Sequence, residues 1–340
     1  MKAILLSLIF FLTSCTGLTR AEDLGDNLED GKVNIVSSQD ISSVSSSYVF
    51  ELKSFNFKDL EKLLGIQGNL LRQDSGLYQG EKYYYDQGQV LYISQGNLEF
   101  TSWGSSIYKT YMSTTKLEYT SQASEENLHV IEEIFKGLDI EEVELIGASK
   151  LTREEIIEGL EKNKTGYLDS LKESIDLNSH IKDIEIISFR KTYEGYPLLN
   201  IPIYLENKNL LPATSIYAIF DDKGLVSLKI DFLADKVKGK EFVGLISEDF
   251  AKDLLKERLI RDGIGLTYEI IQIDLELLPL PRPINNLYST DKLKYIPNYK
   301  IKIKTIPKKV ENEEAFYEVY LVNAVDGKVV KGSLDLPKVY

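Results

Sequence analysis

After Tyr48 the apolar residues recur at one of two spacings. Alternation of apolar and polar residues is typical of a strand with one buried face, whereas apolar residues three and four positions apart are typical of a helix. The alternating runs predict strands at 48–55, 82–94, 96–102, 183–193, 198–205, 214–221, 225–232, 266–280, 296–306 and 315–333.

Helical spacing predicts four helices between these strands. The first occupies 56–66, with Gly65 at its end. The second begins at Ser124, a residue type that caps helix N-termini. Thr152 and Glu155 have the spacing of a capping box and predict the start of the third. The fourth begins at Ser247.

This order of elements predicts an α+β protein built of two or three small modules, each a helix packed on an antiparallel sheet. Asp-Gly turns at 221–224 and 326–327 favour hairpins in the later modules. The predicted units are a signal peptide at 1–14, a tether at 15–47, an N-terminal α+β unit at 48–120, a middle unit at 121–240 and a C-terminal unit at 241–340.

The pattern is different before Tyr48. The apolar run at 3–12 follows one positive charge, Lys2, and is too short to cross a bilayer as a permanent helix. It fits the apolar part of a secretory signal. Thr16–Ser47 is polar, acidic and serine-rich, which predicts a flexible tether with a root-mean-square reach of roughly 30 Å.

The residues Leu-Thr-Ser-Cys at 12–15 resemble the bacterial lipobox, and Cys15 is the only cysteine in the chain. In proteins with that motif the cysteine carries diacylglycerol and becomes the mature N-terminus. The resemblance implies lipid attachment at Cys15 and a position on the extracytoplasmic face of the cell membrane. An ordinary signal peptide with a chance cysteine is the alternative.

Charge limits the choice of partners. The chain has 40 basic and 53 acidic residues and a net charge of −13. Such acidity disfavours nucleic acid, whose phosphates would be repelled, and disfavours a surface that lies flat on anionic lipid.

The residues for familiar catalytic chemistry are sparse. The only two histidines are His129, on a predicted helix, and His180. Nucleophile-elbow, zinc-protease and phosphate-loop motifs are absent from the sequence. The adjacent carboxylate pairs are typical of solvated helix faces in a chain this acidic. We therefore expect a protein that is not an enzyme and has no cofactor or metal.

Tyrosine is abundant, with 21 residues against one tryptophan. The run Tyr83-Tyr84-Tyr85 places rings on both faces of a strand, so that one face is exposed or covered by a partner. Tyrosine is enriched at interfaces and on sugar-binding surfaces, although it also simply favours strands. The predicted binding face consists of Tyr83, Tyr84, Tyr85, Trp103, Tyr108 and Tyr111.

The aromatic strand and "NAVDGKVV" at 315–332 resemble the ending of PepSY-type domains, and the helix from Ser247 resembles their leading helix. "YEGYP" at 193–197 is similar to an entry motif of such modules. The layout also resembles extracytoplasmic accessory regulators of the Gram-positive cell-wall sensor kinase, although those have a membrane helix instead of a lipobox.

The resemblance implies a non-enzymatic regulator. We expect a lipid-anchored binding protein that modulates another envelope protein, such as a sensor kinase, a protease or a wall enzyme, by protein–protein contact. A lipoprotein that binds cell-wall glycan, with peptidoglycan as its partner, is the alternative. An envelope enzyme of unrecognised type is the third possibility.

Overall fold

The computed structural model of the chain describes residues 48–75, 80–102, 105–114, 117–119, 122–162, 181–205, 209–238, 244–262, 268–283, 292–305 and 316–334. The predicted signal peptide, the tether and Cys15 lie outside the described residues, as do Trp103 and His180.

Most of the described chain is β-strand. In chain order the strands are β1 (Tyr48–Leu52), β2 (Leu70–Ser75), β3 (Glu81–Tyr85), β4 (Val90–Ser94), β5 (Asn97–Thr101), β6 (Val143–Leu151), β7 (Ile184–Tyr193), β8 (Tyr196–Pro197), β9 (Ile203–Leu205), β10 (Asn209–Leu211), β11 (Ser215–Asp221), β12 (Gly224–Asp231), β13 (Ala234–Lys238), β14 (Tyr268–Pro279), β15 (Arg282–Pro283), β16 (Lys292–Thr305), β17 (Phe316–Asn323) and β18 (Val329–Ser333).

Five short helices occur in the same part of the chain. They are α1 (Phe57–Leu63), α2 (Ser105–Thr114), α3 (Glu125–Gly137), α4 (Arg153–Lys162) and α5 (Glu248–Arg261). None of these described helices combines the length and apolarity needed to cross a bilayer.

The strands form two antiparallel sheets of nine strands each. Sheet 1 has the order β2-β3-β4-β5-β12-β11-β7-β6, with β8 paired to β7. Sheet 2 has the order β13-β1-β16-β17-β18-β9-β10-β15, with β14 paired to β16. Strands β2 and β6 are therefore the two edges of sheet 1, and β14 is an edge of sheet 2.

Sheet 1 is covered on both faces. Because successive side chains of a strand point to opposite faces, Ile187 packs with α1 and α3, while its neighbour Ile186 packs with α2 and α4. Sheet 2 carries α5 on one face, where Leu255 of the helix packs in one cluster with Ile301 of β16.

The two sheets meet at an aromatic cluster. The Tyr193 ring at the end of β7 contacts Tyr48 and Phe50 of β1, with ring centroids 5.4 Å apart in each pair. The Glu194 carboxylate accepts hydrogen bonds from the hydroxyls of Tyr48, at 2.9 Å, and Tyr193, at 2.8 Å. The "YEGYP" motif of the sequence thus lies where the sheets are joined.

The predicted fold class is wrong. The chain is mostly β, with two large antiparallel sheets and only short helices, and is not a series of small helix-on-sheet modules. The physical reason is pairing between distant strands. Strand β5 pairs with β12, and β1 pairs with both β13 and β16, so both sheets take strands from more than one predicted unit.

The predicted local elements are better matched. Thr152 and Glu155 form the expected capping box, in which the Glu155 amide donates to Thr152 Oγ1 at 3.3 Å and the Thr152 amide donates to Glu155 Oε2 at 2.8 Å. Ser247 caps α5 through a bond from the Phe250 amide to its hydroxyl. Asp221 and Gly224 close the β11–β12 hairpin.

Candidate partner-binding edge

Three edge strands share one irregularity. In each of β2, β6 and β14 a β-bulge inserts one extra residue between two cross-strand pairs. The extra residue is Leu71 in β2, Ile146 in β6 and Ile271 in β14. All three are exposed, by 67%, 39% and 44% respectively.

A bulge on an edge strand has two effects. It interrupts the ladder of backbone groups and thereby hinders uncontrolled pairing with other chains. The bulge also breaks the alternation of side chains between the two faces of the sheet. At these three edges the side chain of the extra residue is aliphatic. Each edge therefore combines an interrupted backbone ladder with an apolar contact point.

The three edges differ in what lies beside them. Residues 117–119 run against β6, where the Ser149 hydroxyl donates to the Glu118 carbonyl at 2.6 Å. In β14, Leu277 forms a bridge with Leu198, and its carbonyl accepts from the Leu199 amide at 3.2 Å. No described residue pairs with the outer side of β2.

Of the three bulged edge strands, β2 also exposes the most apolar surface at its bulge. Leu70 is 45% exposed beside the more exposed Leu71, and every residue of the strand is exposed or half-buried. Exposed apolar residues that are contiguous favour an interaction site, whereas scattered single ones are ordinary. We therefore take the outer edge of β2 as the candidate functional site.

The start of β2 is held in place by Asp86 in the turn between β3 and β4. The Asp86 carboxylate accepts from the Asn69 amide at 3.1 Å and from the Asn69 side chain at 3.0 Å, while the Asp86 amide donates to the Asn69 carbonyl at 3.1 Å. Gly68, at φ +122°, permits this approach, because a Cβ there would lie 2.3 Å from Asp86 Oδ1.

A small polar and aromatic surface lies on one face of β2 and β3. The Arg72 guanidinium lies 4.3 Å from the centre of the Tyr84 ring, and the Lys82 ammonium lies 5.2 Å from the same centre. Asp74 pairs with Arg72 at 2.9 Å. We call Arg72, Asp74, Lys82 and Tyr84 the cationic ledge.

The predicted tyrosine face is not assembled as one surface. Tyr83 and Tyr85 are buried on the face of sheet 1 that packs with α1 and α3, opposite to Tyr84. The Tyr83 ring stacks on Phe57 with 3.9 Å between centroids, and the Tyr85 hydroxyl donates to Glu61 at 3.0 Å. Burial and the Glu81 carboxylate raise the pKa of Tyr83 to about 12.

The remaining described tyrosines of that prediction are also buried. Tyr108 and Tyr111 lie on α2, in the cluster with α4 on the other face of sheet 1. The Tyr108 hydroxyl accepts a hydrogen bond from the Lys182 amide at 3.1 Å. Of the six predicted residues, Tyr84 alone among those described has a partly exposed ring next to the β2 edge.

The chain resembles a protein of known structure. No family profile and no curated protein matches it. The crystal structure of an uncharacterized protein from Eubacterium rectale ATCC 33656, at 1.45 Å resolution, is similar with a TM-score of 0.56. The two are 14% identical, and the match covers 84% of this chain and 85% of that chain. At this identity the likeness shows the fold alone.

Charged residues also meet away from the edge. On the face of sheet 1 near α2, Lys109 contacts Glu99, and Lys229 pairs with Asp231 at 2.8 Å. Burial raises the pKa of Glu99, but Lys109, Lys229 and Lys82 together outweigh burial, so the pKa lies below its ordinary value. Burial lowers the pKa of Lys229, but Asp231, Tyr217 and Glu99 together raise it above its ordinary value.

These pKa shifts keep Glu99 and Lys229 charged near neutral pH, where a proton-transfer group would need a pKa close to 7. The cluster therefore joins β5, α2 and β12 by ion pairs. His129 is exposed on α3. Among the described residues no three side chains of the metal-binding types come together.

Each bulge lies in an apolar doublet: Leu70-Leu71, Leu145-Ile146 and Ile270-Ile271. The same kind of doublet, Ile186-Ile187, occurs in the central strand β7, which is buried on both faces. Leu277-Leu278 in the edge strand β14 is also a doublet, but it is buried and pairs without a bulge. An apolar doublet therefore accompanies each bulged edge without identifying it, and the sequence alone did not predict these edges.

Proposed function

We propose that the chain is a lipid-anchored extracytoplasmic binding protein that modulates another envelope protein by adding a strand of that partner to the outer edge of β2. The observation that carries the proposal is the open edge of β2, with its exposed Leu70 and Leu71. In strand addition, main-chain hydrogen bonds supply affinity and side-chain contacts supply specificity.

Attachment at Cys15 would hold the β2 edge close to other membrane proteins. A lipid anchor with a tether of about 30 Å reach confines the folded body to a thin layer next to the membrane, which raises its effective concentration toward other membrane proteins. The resemblance to PepSY-type domains and to accessory regulators of a sensor kinase supports a regulatory role over a purely structural one.

We favour a protein partner over a glycan. A sugar-binding face needs accessible aromatic rings, and Tyr83, Tyr85, Tyr108 and Tyr111 are buried. Strand addition at β2 requires none of those rings.

Photo-crosslinking in living cells tests the proposal. A photoreactive residue is placed at Gln73 of β2 and, as the matched control, at Gln272 of β14, which follows the equivalent bulge in the other sheet. We expect one envelope protein to be captured from position 73 and not from position 272. Capture of no protein from position 73, or of the same protein from both positions, would contradict the proposal.

Charged substitutions of the leucines provide the complementary test. Leu70→Asp with Leu71→Asp removes the apolar contact from an exposed site, so we expect the partner to be lost while the folded protein remains. The matched control is Leu145→Asp with Ile146→Asp at the β6 edge, which has a similar exposed doublet and should retain the partner.

A further inference from the structure

The regular part of β2, after its bulge, carries opposite charges on one face. Arg72 lies directly opposite Tyr84 of β3, and Asp74 lies directly opposite Lys82. Both therefore project from the face of the cationic ledge, whereas Gln73 between them projects from the other face. Arg72 and Asp74 pair with each other at 2.9 Å, and their side chains are 47% and 39% exposed. An approaching strand could therefore reach both charges.

A positive and a negative residue two positions apart make a strand complementary to a second copy of itself. If two copies of β2 pair antiparallel about a two-fold axis at Gln73, Arg72 of each copy lies opposite Asp74 of the other. Opposite charges directly across two strands attract, and like charges repel. An axis at Arg72 would place two arginines opposite each other, and an axis at Asp74 would place two aspartates there. Charge therefore selects the register centred on Gln73.

The same register continues the alternation of charge into each sheet. Lys82 lies beside Asp74, and the Arg72 guanidinium lies over the Tyr84 ring. On this face the order across the paired edge would be Lys82 and Asp74 of one copy, then Arg72 and Tyr84 of the other. Each charge would thus have an opposite charge or an aromatic ring as its neighbour.

Pairing of two copies at β2 would end with the dimer. A two-fold interface uses the same patch on both subunits, so neither β2 edge remains open. The other edge of sheet 1, β6, lies beside residues 117–119. The bulge at Leu71 restricts regular pairing to the residues after it, from Arg72 to Ser75. So short a contact is typical of weak and transient interfaces.

We propose that the chain pairs with a second copy of itself through β2, with the two-fold axis at Gln73, and that this pairing and binding of the envelope protein exclude each other. The exclusion rests on the proposed function, whereas the self-pairing does not. A lipid anchor would confine both copies to the membrane surface and raise their effective concentration. The net charge of −13 opposes association, but salt screens exposed charges over about 8 Å at physiological ionic strength, so the facing ion pairs act at close range.

Charge-swap variants of the full-length chain test the self-pairing by analytical ultracentrifugation. Arg72→Asp places aspartates opposite each other at both contacts, and Asp74→Arg places arginines there. Each variant alone should therefore associate about tenfold or more weakly than wild type. An equimolar mixture of the two variants restores opposite charges at both contacts and should associate more tightly than either variant alone.

The matched control exchanges charges at an exposed ion pair of α3. Lys136→Asp and Glu133→Arg change the net charge by the same amounts as the two β2 variants and should leave self-association as in wild type. Unchanged unfolding midpoints check that all four variants fold. A wild type that stays monomeric at millimolar concentration, or a β2 mixture that associates no more tightly than its components, would overturn the self-pairing.

Photo-crosslinking at Gln73 in living cells separates the two proposals. Position 73 lies at the proposed axis, so it should capture a second copy as well as the envelope protein, and no product should contain two copies together with the envelope protein. Such a triple product would overturn the exclusion. Capture of a second copy without any envelope protein would overturn the proposed function and leave the self-pairing in place. Capture of the envelope protein, with no rescue in the β2 mixture, would do the reverse.

Discussion

The two edges of sheet 1 carry similar side chains in different surroundings. At both edges a bulge exposes an aliphatic doublet, Leu70-Leu71 in β2 and Leu145-Ile146 in β6. Strand β6 lies against residues 117–119, and its neighbour β7 is tied to α3 by the buried carboxylate of Glu185. The outer side of β2 pairs with no described strand.

Exposure of apolar residues therefore does not by itself mark a binding surface. The β6 doublet lies at an edge joined to its neighbours by buried polar contacts. The β2 doublet lies at an edge that pairs with β3 and is bonded at its start through Asn69 and Asp86. Substitutions at these anchoring points therefore test whether the two edges differ in function.

The largest effect is expected at Gly68. The variant Gly68→Ala would bring a Cβ to 2.3 Å from Asp86 Oδ1 and place alanine at φ +122°, so Asp86 must move and the start of β2 loses its bonds. We expect a loss of about 2–4 kcal/mol in the free energy of unfolding, measured by urea denaturation, and loss of partner binding.

Gly147→Ala in β6 is the matched control. Its new Cβ would lie 2.9 Å from the Cβ of Tyr119, whose hydroxyl accepts a hydrogen bond from Ser188 at 2.8 Å, and alanine would stand at φ +157°. A comparable loss of stability with partner binding intact is expected. Loss of partner binding in Gly147→Ala as well would show that binding follows overall stability and not the β2 anchor.

The next effect is expected at Glu185. Its carboxylate accepts from the Ser124 amide at 2.9 Å, from the Ser124 hydroxyl at 2.6 Å and from the Asn127 side chain at 2.6 Å. Replacement by glutamine keeps the shape but loses the charge, and we expect a loss of about 2–3 kcal/mol at pH 7.

The pH dependence of this loss has a defined sign. Burial raises the pKa of Glu185, but the bonds from Ser124 and Asn127 outweigh it, so the pKa lies below its ordinary value. The carboxylate then contributes stability above the unfolded-state pKa and loses it as the pH falls through the folded-state pKa. Unfolding measured between pH 7 and pH 3 should show wild type and Glu185→Gln converging in acid.

Glu276 in β14 should show the opposite dependence of stability on pH. It is buried, contacts Lys300, and its Oε2 atom has no hydrogen-bond partner. Burial raises its pKa above the ordinary value, so the neutral form is favoured in the folded state. Its contribution to stability is full below the unfolded-state pKa and is lost as the pH rises through the folded-state pKa.

We therefore expect the unfolding temperature of wild type to fall relative to Glu276→Gln as the pH is raised from 4 to 8. A constant difference between the two proteins across this range would show that Glu276 keeps the same protonation state in both conditions. Asp274→Asn, at a more exposed carboxylate on the same strand, is the control.

The smallest effect on stability is expected at Asp74. Its ion pair with Arg72 is exposed, and such pairs contribute little, so Asp74→Asn should change the free energy of unfolding by less than about 0.5 kcal/mol. Urea denaturation measures this difference. A loss greater than about 1 kcal/mol would contradict the expectation and show that the pair anchors β2.

Local signals in the sequence predicted most of the individual elements. Ser247 and the Thr152–Glu155 capping box correctly located two helix starts, because caps act between residues three positions apart. Ser124 also precedes a helix, but its side chain bonds to Glu185 of a distant strand instead of capping the helix. The distinction depends on tertiary contact and could not be predicted from spacing.

The elements that were missed have weak local patterns. Helix α2 contains small and aromatic residues instead of strong helix formers, and β2 and β6 are interrupted by their bulges. The sheets were mispredicted for a different reason. Alternation shows that a strand has two faces, but the pairing of β5 with β12 depends on residues more than a hundred positions apart.

The candidate site at the β2 edge also depends on contacts between residues that are distant in sequence. Alternation placed Tyr84 opposite Tyr83 and Tyr85, as the structure does, but only the packing of α1 and α3 decides which of the two faces is buried. The β2 edge was not predicted, since an edge is a property of strand order.

The position of β1 has a consequence for how the chain becomes a folded protein. Tyr48 pairs with Tyr295, so the first of the described strands to be synthesised finds one of its neighbours only after most of the chain has followed it. Contacts this distant in sequence form slowly, and the early strands meanwhile expose their backbone. Sheet 2 is therefore expected to complete its strand pairing last. A chain that ends before β16 should fail to fold.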